Sequence, residues 1–169
     1  MAQLSLVPIA LLAFTVSLLA DEGHQHDQPT ELELGSVHFP ISCAPDVQIP
    51  FERGVALLHS FAFETAEATF RQAVRADPHC AMAHWGIAST FSRWGSPSRE
   101  QMKQGWSEIK MARALHAKTH RERDYIGALA AIYIHPAKND DKRGDKFLSK
   151  MGRLHRRYPD DLEAAAANP

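Results

Sequence analysis

The chain has 169 residues, of which 44% are hydrophobic and 23% are charged, a composition typical of a globular protein with one sizeable core. Its formal net charge of -1 argues against a dedicated nucleic-acid binder, which usually carries a strong basic excess. The charge is uneven, since no Lys or Arg precedes Arg53 and residues 1–52 carry seven acidic side chains.

The first twenty residues carry no charged side chain and are followed by the abruptly polar stretch DEGHQHDQPT. Such an apolar run is typical of a secretory signal peptide, and an uncleaved membrane anchor is the alternative for residues 1–20. We predict a flexible linker at residues 21–33, because these residues are mainly polar. The protein is therefore expected to be exported to the periplasm or the extracellular space, and to contact a membrane only if the first segment stays uncleaved.

The next stretch, residues 34–46, contains two prolines that interrupt any regular pattern. We predict that it is extended, with a short strand as one possibility, and that it packs on the first helices. From Gln48 onward, apolar residues recur at three- and four-residue steps, which predicts helices. The first pair of helices should end at Asp77, because the residue before a proline is driven out of the α region. The chain is therefore predicted to be all-α.

The helical pattern repeats along the chain. In the first unit, small, aromatic and proline residues stand at characteristic intervals, namely Gly54, Leu57, Phe63, Ala66, Phe70, Ala73 and Pro78. Small residues followed three positions later by an aromatic residue recur at Ala88 and Ala130. This spacing resembles the tetratricopeptide repeat, a helical hairpin with a period of about 34 residues.

The tetratricopeptide resemblance implies an α-solenoid, a right-handed superhelix of about three helical hairpins. The units would occupy residues 47–80, 81–118 and 119–161, with an incomplete fourth unit from residue 162. The second and third units are longer than the first. Their extra residues fall in RWGSPSRE and HPAKNDDKRGD, each between the two helices of a hairpin.

Most of the chain after the linker also resembles a narrower group, exported bacterial tetratricopeptide proteins of largely uncharacterised function. The motifs are LGSVHF and SC within 34–43, QIPFERGVALLHSF at 48–61 and DPHCAMAHWGIA at 77–88. The resemblance continues through RERDYIGALAAIY and YPDDLEAAAA. Because more repeats follow in such relatives, we expect this chain to be a fragment or to end in a frayed helix.

The repeat frame also bears on the two cysteines. Cys43 precedes the first helix of unit one, and Cys80 begins the first helix of unit two. First helices of adjacent units run parallel in such a stack, so the two thiols should lie at the same end, where an oxidising compartment favours a disulfide. A pair of unbridged thiols and a metal site are the alternatives, and haem is disfavoured because there is no C-x-x-C-H motif.

The same frame predicts which side chains face a concave groove. Unit one contributes Gln48, Phe51, Val55, Leu58 and His59, and unit two contributes Met82, Trp85, Ser89, Ser92 and Arg93. For Phe51, Leu58 and Trp85 the alternative is a place in the core. The leading hypothesis is a scaffold that binds a peptide or protein partner in this groove.

Catalytic motifs are missing from the sequence: there is no G-x-S-x-G, no Gly-rich phosphate loop and no H-E-x-x-H. We therefore expect no enzyme activity and no cofactor. We predict no metal site, because a solvated, flexible linker is the favoured interpretation of His24 and His26. One alternative is an envelope protein that binds metal through His24 and His26, with His38 as an optional third ligand. Another is an accessory domain of a larger enzyme or complex.

Overall fold

The structure, a computed structural model, describes residues 34–92, 97–134 and 142–166. Seven α-helices make up most of this part of the chain, and the expectation of an all-α protein is confirmed for it. They are α1 Gln48–His59, α2 Phe63–Ala76, α3 Ala81–Phe91, α4 Arg99–Ala114, α5 His120–Tyr133, α6 Arg143–Arg157 and α7 Leu162–Ala166. Within these described ranges, none of the helices has the length and apolar character that crossing a bilayer requires.

The helix boundaries follow local hydrogen bonding. Ser98 Oγ accepts from the Gln101 N–H at 3.2 Å while the Gln101 side chain accepts from the Ser98 N–H at 2.8 Å, which starts α4 with a capping box. Thr119 and Glu122 start α5 in the same way. At the other end of a helix, Asp77 adopts an extended conformation before Pro78 and terminates α2.

Consecutive helices pack against each other along the whole described chain, from α1 to α7. In addition, α1 contacts α3 and α3 contacts α5, whereas the described parts of α2, α4 and α6 make no backbone approach to one another. Helices α1, α3 and α5 therefore lie side by side, and we call them the inner row. The even-numbered helices α2 and α4 fill the spaces behind it.

Glycines allow the close approach between the helices. The ring of Phe70, on α2, is fully buried against Gly54 of α1 and Gly86 of α3, and a methyl group at Gly54 would lie 2.6 Å from it. Between α4 and α5, the Tyr133 ring occupies the space that a side chain at Gly105 would need. Two large rings thus fix the spacing of neighbouring helices, because protein interiors are close-packed.

Residues 34–44 form no strand; they run as an extended segment across the inner row, and we call them the strap. Its Phe39 N–H donates to Glu52 Oε1 at 2.9 Å, and its Phe39 carbonyl accepts from Gln48 Nε2 at 2.9 Å. The Phe39 ring is fully buried, 4.8 Å from the Tyr125 ring and 5.5 Å from the Trp85 ring between centroids. The strap is therefore part of the core and ties α1, α3 and α5 together.

Candidate functional site

A cavity of about 260 Å³ opens where the inner row meets α6 and α7. Its walls are mainly apolar and include Val55, Leu58, Trp85, Leu129, Phe147 and Met151. Its polar members are His59, Ser89, Ser92, Tyr125 and Glu163. Each of α1, α3 and α5 contributes to the lining, so the cavity involves the whole inner row.

Six of the residues that the sequence assigns to a groove line this cavity: Val55, Leu58, His59, Trp85, Ser89 and Ser92. Phe51 and Met82 do not, because both are fully buried. Phe51 packs against Phe39 and Phe70, which fixes it in the core between the strap and α2. The Gln48 side chain is hydrogen-bonded to the strap, and Arg93 lies outside the described residues.

The cavity also has walls that the sequence frame does not identify, on α5, α6 and α7. Val55 follows the small residue Gly54, and Ser89 follows Ala88, so the same offset in the third unit leads to Ala131. The structure instead places Tyr125 and Leu129 in the lining. Tyr125 and Leu129 lie 40 positions after Trp85 and Ser89, so the register counted from Ala130 is off by two residues.

One ion pair stands at the edge of the cavity. His59 Nε2, at the end of α1, lies 2.8 Å from Glu163 Oε2, in the first turn of α7. The hydrogen bond and the negative charge of Glu163 raise the pKa of His59 above its usual 6.5, although partial burial acts in the opposite direction. The pair spans 104 positions of sequence and links the first helix to the last one described.

The serine hydroxyls of the cavity are already used as donors. Ser89 Oγ donates to the Trp85 carbonyl at 2.9 Å, and Ser92 Oγ donates to the Ser89 carbonyl at 3.0 Å. Both hydroxyls keep lone pairs with which they can accept a hydrogen bond. The indole N–H of Trp85 is buried and has no hydrogen-bond partner among the described residues. A ligand in the cavity would therefore make mainly apolar contacts and few hydrogen bonds.

The α5–α7 side of the cavity is held by a polar cluster. The Tyr125 hydroxyl donates to Asp161 Oδ1 at 2.9 Å, and Arg121 Nε lies 2.6 Å from Asp161 Oδ2. Burial raises the pKa of Asp161, but the Arg121 guanidinium and the other hydrogen bonds outweigh it and hold that pKa below its usual value. Burial and the Asp161 charge raise the pKa of Tyr125, so Tyr125 stays a neutral donor.

The predicted disulfide is confirmed: Cys43 and Cys80 are bonded, with their Cα atoms 5.0 Å apart. The Asp77 carboxylate lies beside the two sulfurs, but the bonded sulfurs offer no thiolate to a metal. That carboxylate accepts instead from the backbone N–H groups of Ala44 and His79, each at 2.9 Å. These bonds hold the pKa of Asp77 below its usual value.

Of the three histidines in the metal-binding alternative, the structure describes His38. His38 is largely exposed, with its Nδ1 3.6 Å from Glu52 Oε1. His24 and His26 lie outside the described residues, as do the signal or anchor segment and the linker. Comparisons of this chain with protein-family models, with curated proteins and with solved structures find no match.

Proposed function

We propose that α1–α6 are three helical hairpins of the tetratricopeptide type, stacked as an α-solenoid. The support is the packing order, in which each helix packs on the next and the odd-numbered helices form a continuous inner row. Stacked hairpins have this order because each unit buries its apolar face only against its neighbours. The contact of the Phe70 ring with Gly54 also agrees with the small and aromatic positions of the first repeat.

On this basis, the protein is an exported scaffold that binds a peptide or protein partner at the cavity of the inner row. The observation that carries the proposal is the cavity itself, which is mainly apolar and is lined by at least one helix of every hairpin. Concave surfaces of stacked repeats are binding surfaces, because they present residues from several units to one ligand. Large apolar side chains such as Trp85 and Met151 suit partner recognition.

Export is supported by two independent features. The apolar, uncharged first twenty residues resemble a signal segment. The Cys43–Cys80 disulfide supports folding in an oxidising compartment, since cytosolic proteins rarely keep such bonds. The partner is therefore a protein or peptide of the same exported compartment.

The test is photo-crosslinking from inside the cavity. The full-length chain carries p-benzoylphenylalanine either at Ser92, in the cavity wall, or at Lys110, an exposed position on α4 away from the cavity. Both variants are exposed to envelope and secreted fractions of the source cells. We expect a defined adduct from Ser92, absent from Lys110, and its loss in Leu58→Arg, which places a charge in the apolar wall. Equal labelling from both positions, or none from Ser92, would contradict partner binding at the cavity.

A further inference from the structure

The His59–Glu163 ion pair is part of the cavity lining, which distinguishes it from an ordinary ion pair on an open surface. Both side chains line the cavity, one from the end of α1 and one from the start of α7. In the described residues, no backbone approach joins α1 to α7, and the His59–Glu163 bridge links the two helices through side chains. It therefore closes the rim of the cavity on that side.

The cavity has the dimensions of a side-chain pocket. Its volume of about 260 Å³ exceeds the roughly 150 Å³ that admits a benzene molecule, and it falls just below the roughly 300 Å³ at which drug-sized pockets begin. A leucine or phenylalanine side chain fits such a space, whereas a helix does not. The walls from Leu129, Phe147 and Met151 would leave a charged group without a partner, which is costly in an apolar site.

From this geometry we infer that the cavity receives one large apolar side chain of the partner and that the His59–Glu163 bridge is a gate, which opens to admit it. The inference rests on the proposed function and names the chemistry of the contact. Glu163 belongs to a helix of five residues whose first turn is anchored by Asp161, so the gate lies on a short element. The partner segment is then an exposed peptide that carries leucine or phenylalanine.

Few of the side chains that line the cavity can carry a charge. From α7, Glu163 faces His59; α5 presents the neutral Tyr125 hydroxyl, α3 presents serines and α6 presents Phe147 and Met151. Among the described lining residues, His59 and Glu163 are thus the two that can carry charge in the physiological range. The gate is strongest when His59 is protonated and Glu163 is ionised. Raising the pH through the elevated pKa of His59 removes the positive charge and weakens the closed state.

A second His–Glu pair supplies a matched control. His84 Nδ1 lies 2.7 Å from Glu108 Oε2, between α3 and α4, and neither residue lines the cavity. Glu163→Gln and Glu108→Gln remove the same charge from a His–Glu pair, and Glu108 Oε1 also lies 3.8 Å from Arg71. Only the first removes it from the rim of the cavity.

The experiment titrates the full chain, with its disulfide intact, with N-acetyl-leucinamide and with N-acetyl-glycinamide as the probe without an apolar side chain. The readout is the indole N–H resonance of Trp85 in nitrogen-proton NMR spectra, identified by its loss in Trp85→Phe. We expect a saturable shift with the leucine probe alone. Because the bridge is partly exposed and its strength modest, Glu163→Gln should lower Kd about two- to five-fold, and Glu108→Gln should leave it unchanged. Wild-type Kd should fall as pH rises from about 6 to 8.5, around the ordinary range of histidine, and the Glu163→Gln profile should be flat.

Two outcomes overturn the inference in different ways. If the leucine probe binds wild type and Glu163→Gln with equal Kd, the bridge is no gate, and the proposed function is untouched. If neither protein shows a saturable shift, the cavity does not receive apolar side chains; partner binding elsewhere on the scaffold is then decided by the crosslinking experiment. Thermal unfolding of Glu163→Gln and of a second gate variant, His59→Gln, checks that both remain folded, and both must lower Kd.

Discussion

The carboxylate of Glu122 accepts a hydrogen bond from the backbone N–H of Ser42 at 2.7 Å, across 80 positions of sequence. The same carboxylate accepts from the Ser42 hydroxyl and from the N–H and hydroxyl of Thr119, which begins α5. Glu122 is 1% exposed. Burial raises its pKa, but the hydrogen bonds from Ser42 and Thr119 prevail and hold that pKa below its usual value. One side chain thus caps a helix and fastens the strap.

We predict that Glu122→Gln is destabilising, because an amide N–H₂ cannot accept from the donors that face it and leaves buried donors unpaired. The expected loss in the free energy of unfolding is about 1–3 kcal/mol. The measurement is urea denaturation followed by circular dichroism. The matched control is Glu100→Gln on α4, whose carboxylate is exposed and lies 3.8 Å from Lys103; its loss should stay below about 0.5 kcal/mol. Similar losses at both sites would contradict the role of Glu122 in capping α5 and holding the strap.

Acid should weaken the fold in a defined range. Glu122 and Asp161 have pKa values below the ordinary 4.5 and 3.8, so each stabilises the folded state fully above its unfolded-state pKa. That contribution is lost as pH falls below these values towards the lower folded-state values. We expect the free energy of unfolding to drop between pH 5 and pH 3, measured by urea titrations at several pH values. The drop should be smaller in Glu122→Gln, and an identical pH profile for the two proteins would contradict this assignment.

Loss of the disulfide should destabilise the protein without releasing the strap. Cys43 and Cys80 are 37 positions apart, and closing a loop of that size stabilises by about 3–4 kcal/mol in the chain-entropy model. We expect a loss of this order in Cys43→Ser/Cys80→Ser, measured by urea denaturation. The strap should stay bound through Glu52 and Glu122, so protection of the Phe39 amide against hydrogen exchange should persist. Iodoacetamide should label two thiols in the unfolded wild type after reduction and none before it.

The glycines that face Phe70 should not accept alanine. Gly54→Ala is expected to destabilise by about 1–3 kcal/mol, because the added methyl group overlaps the fully buried ring and outweighs the better helix propensity of alanine. The control is Gly127→Ala on α5, where nothing lies within 4 Å of the added methyl; it should stabilise by up to about 1 kcal/mol. Thermal denaturation measures both changes. Phe70→Leu in the Gly54→Ala background should recover part of the loss, and a neutral Gly54→Ala would refute the close approach.

Helix positions could be predicted from local sequence because the signals that set them are local. Apolar residues at three- and four-residue steps specify the buried face of a helix, and Asp77 before Pro78 terminates one. The Cys43–Cys80 pairing could also be predicted, because each cysteine precedes the first helix of a repeat unit. Six of the residues assigned to the groove line the cavity for the same reason, since they lie on the inner faces of α1 and α3.

Tertiary structure alone decided which inner-face residues remain accessible. Phe51 and Met82 share the helix face of the cavity residues, yet the strap and the neighbouring helices bury them completely. Tyr125 and Leu129 of α5 belong to the lining, and Glu163 joins it because the start of α7 lies against the end of α1. Periodicity determines the direction of a side chain relative to its own helix axis. The exposure of that side chain depends on how the axes of neighbouring helices are turned and on what crosses them, and these are properties of long-range contacts such as Ser42 with Glu122.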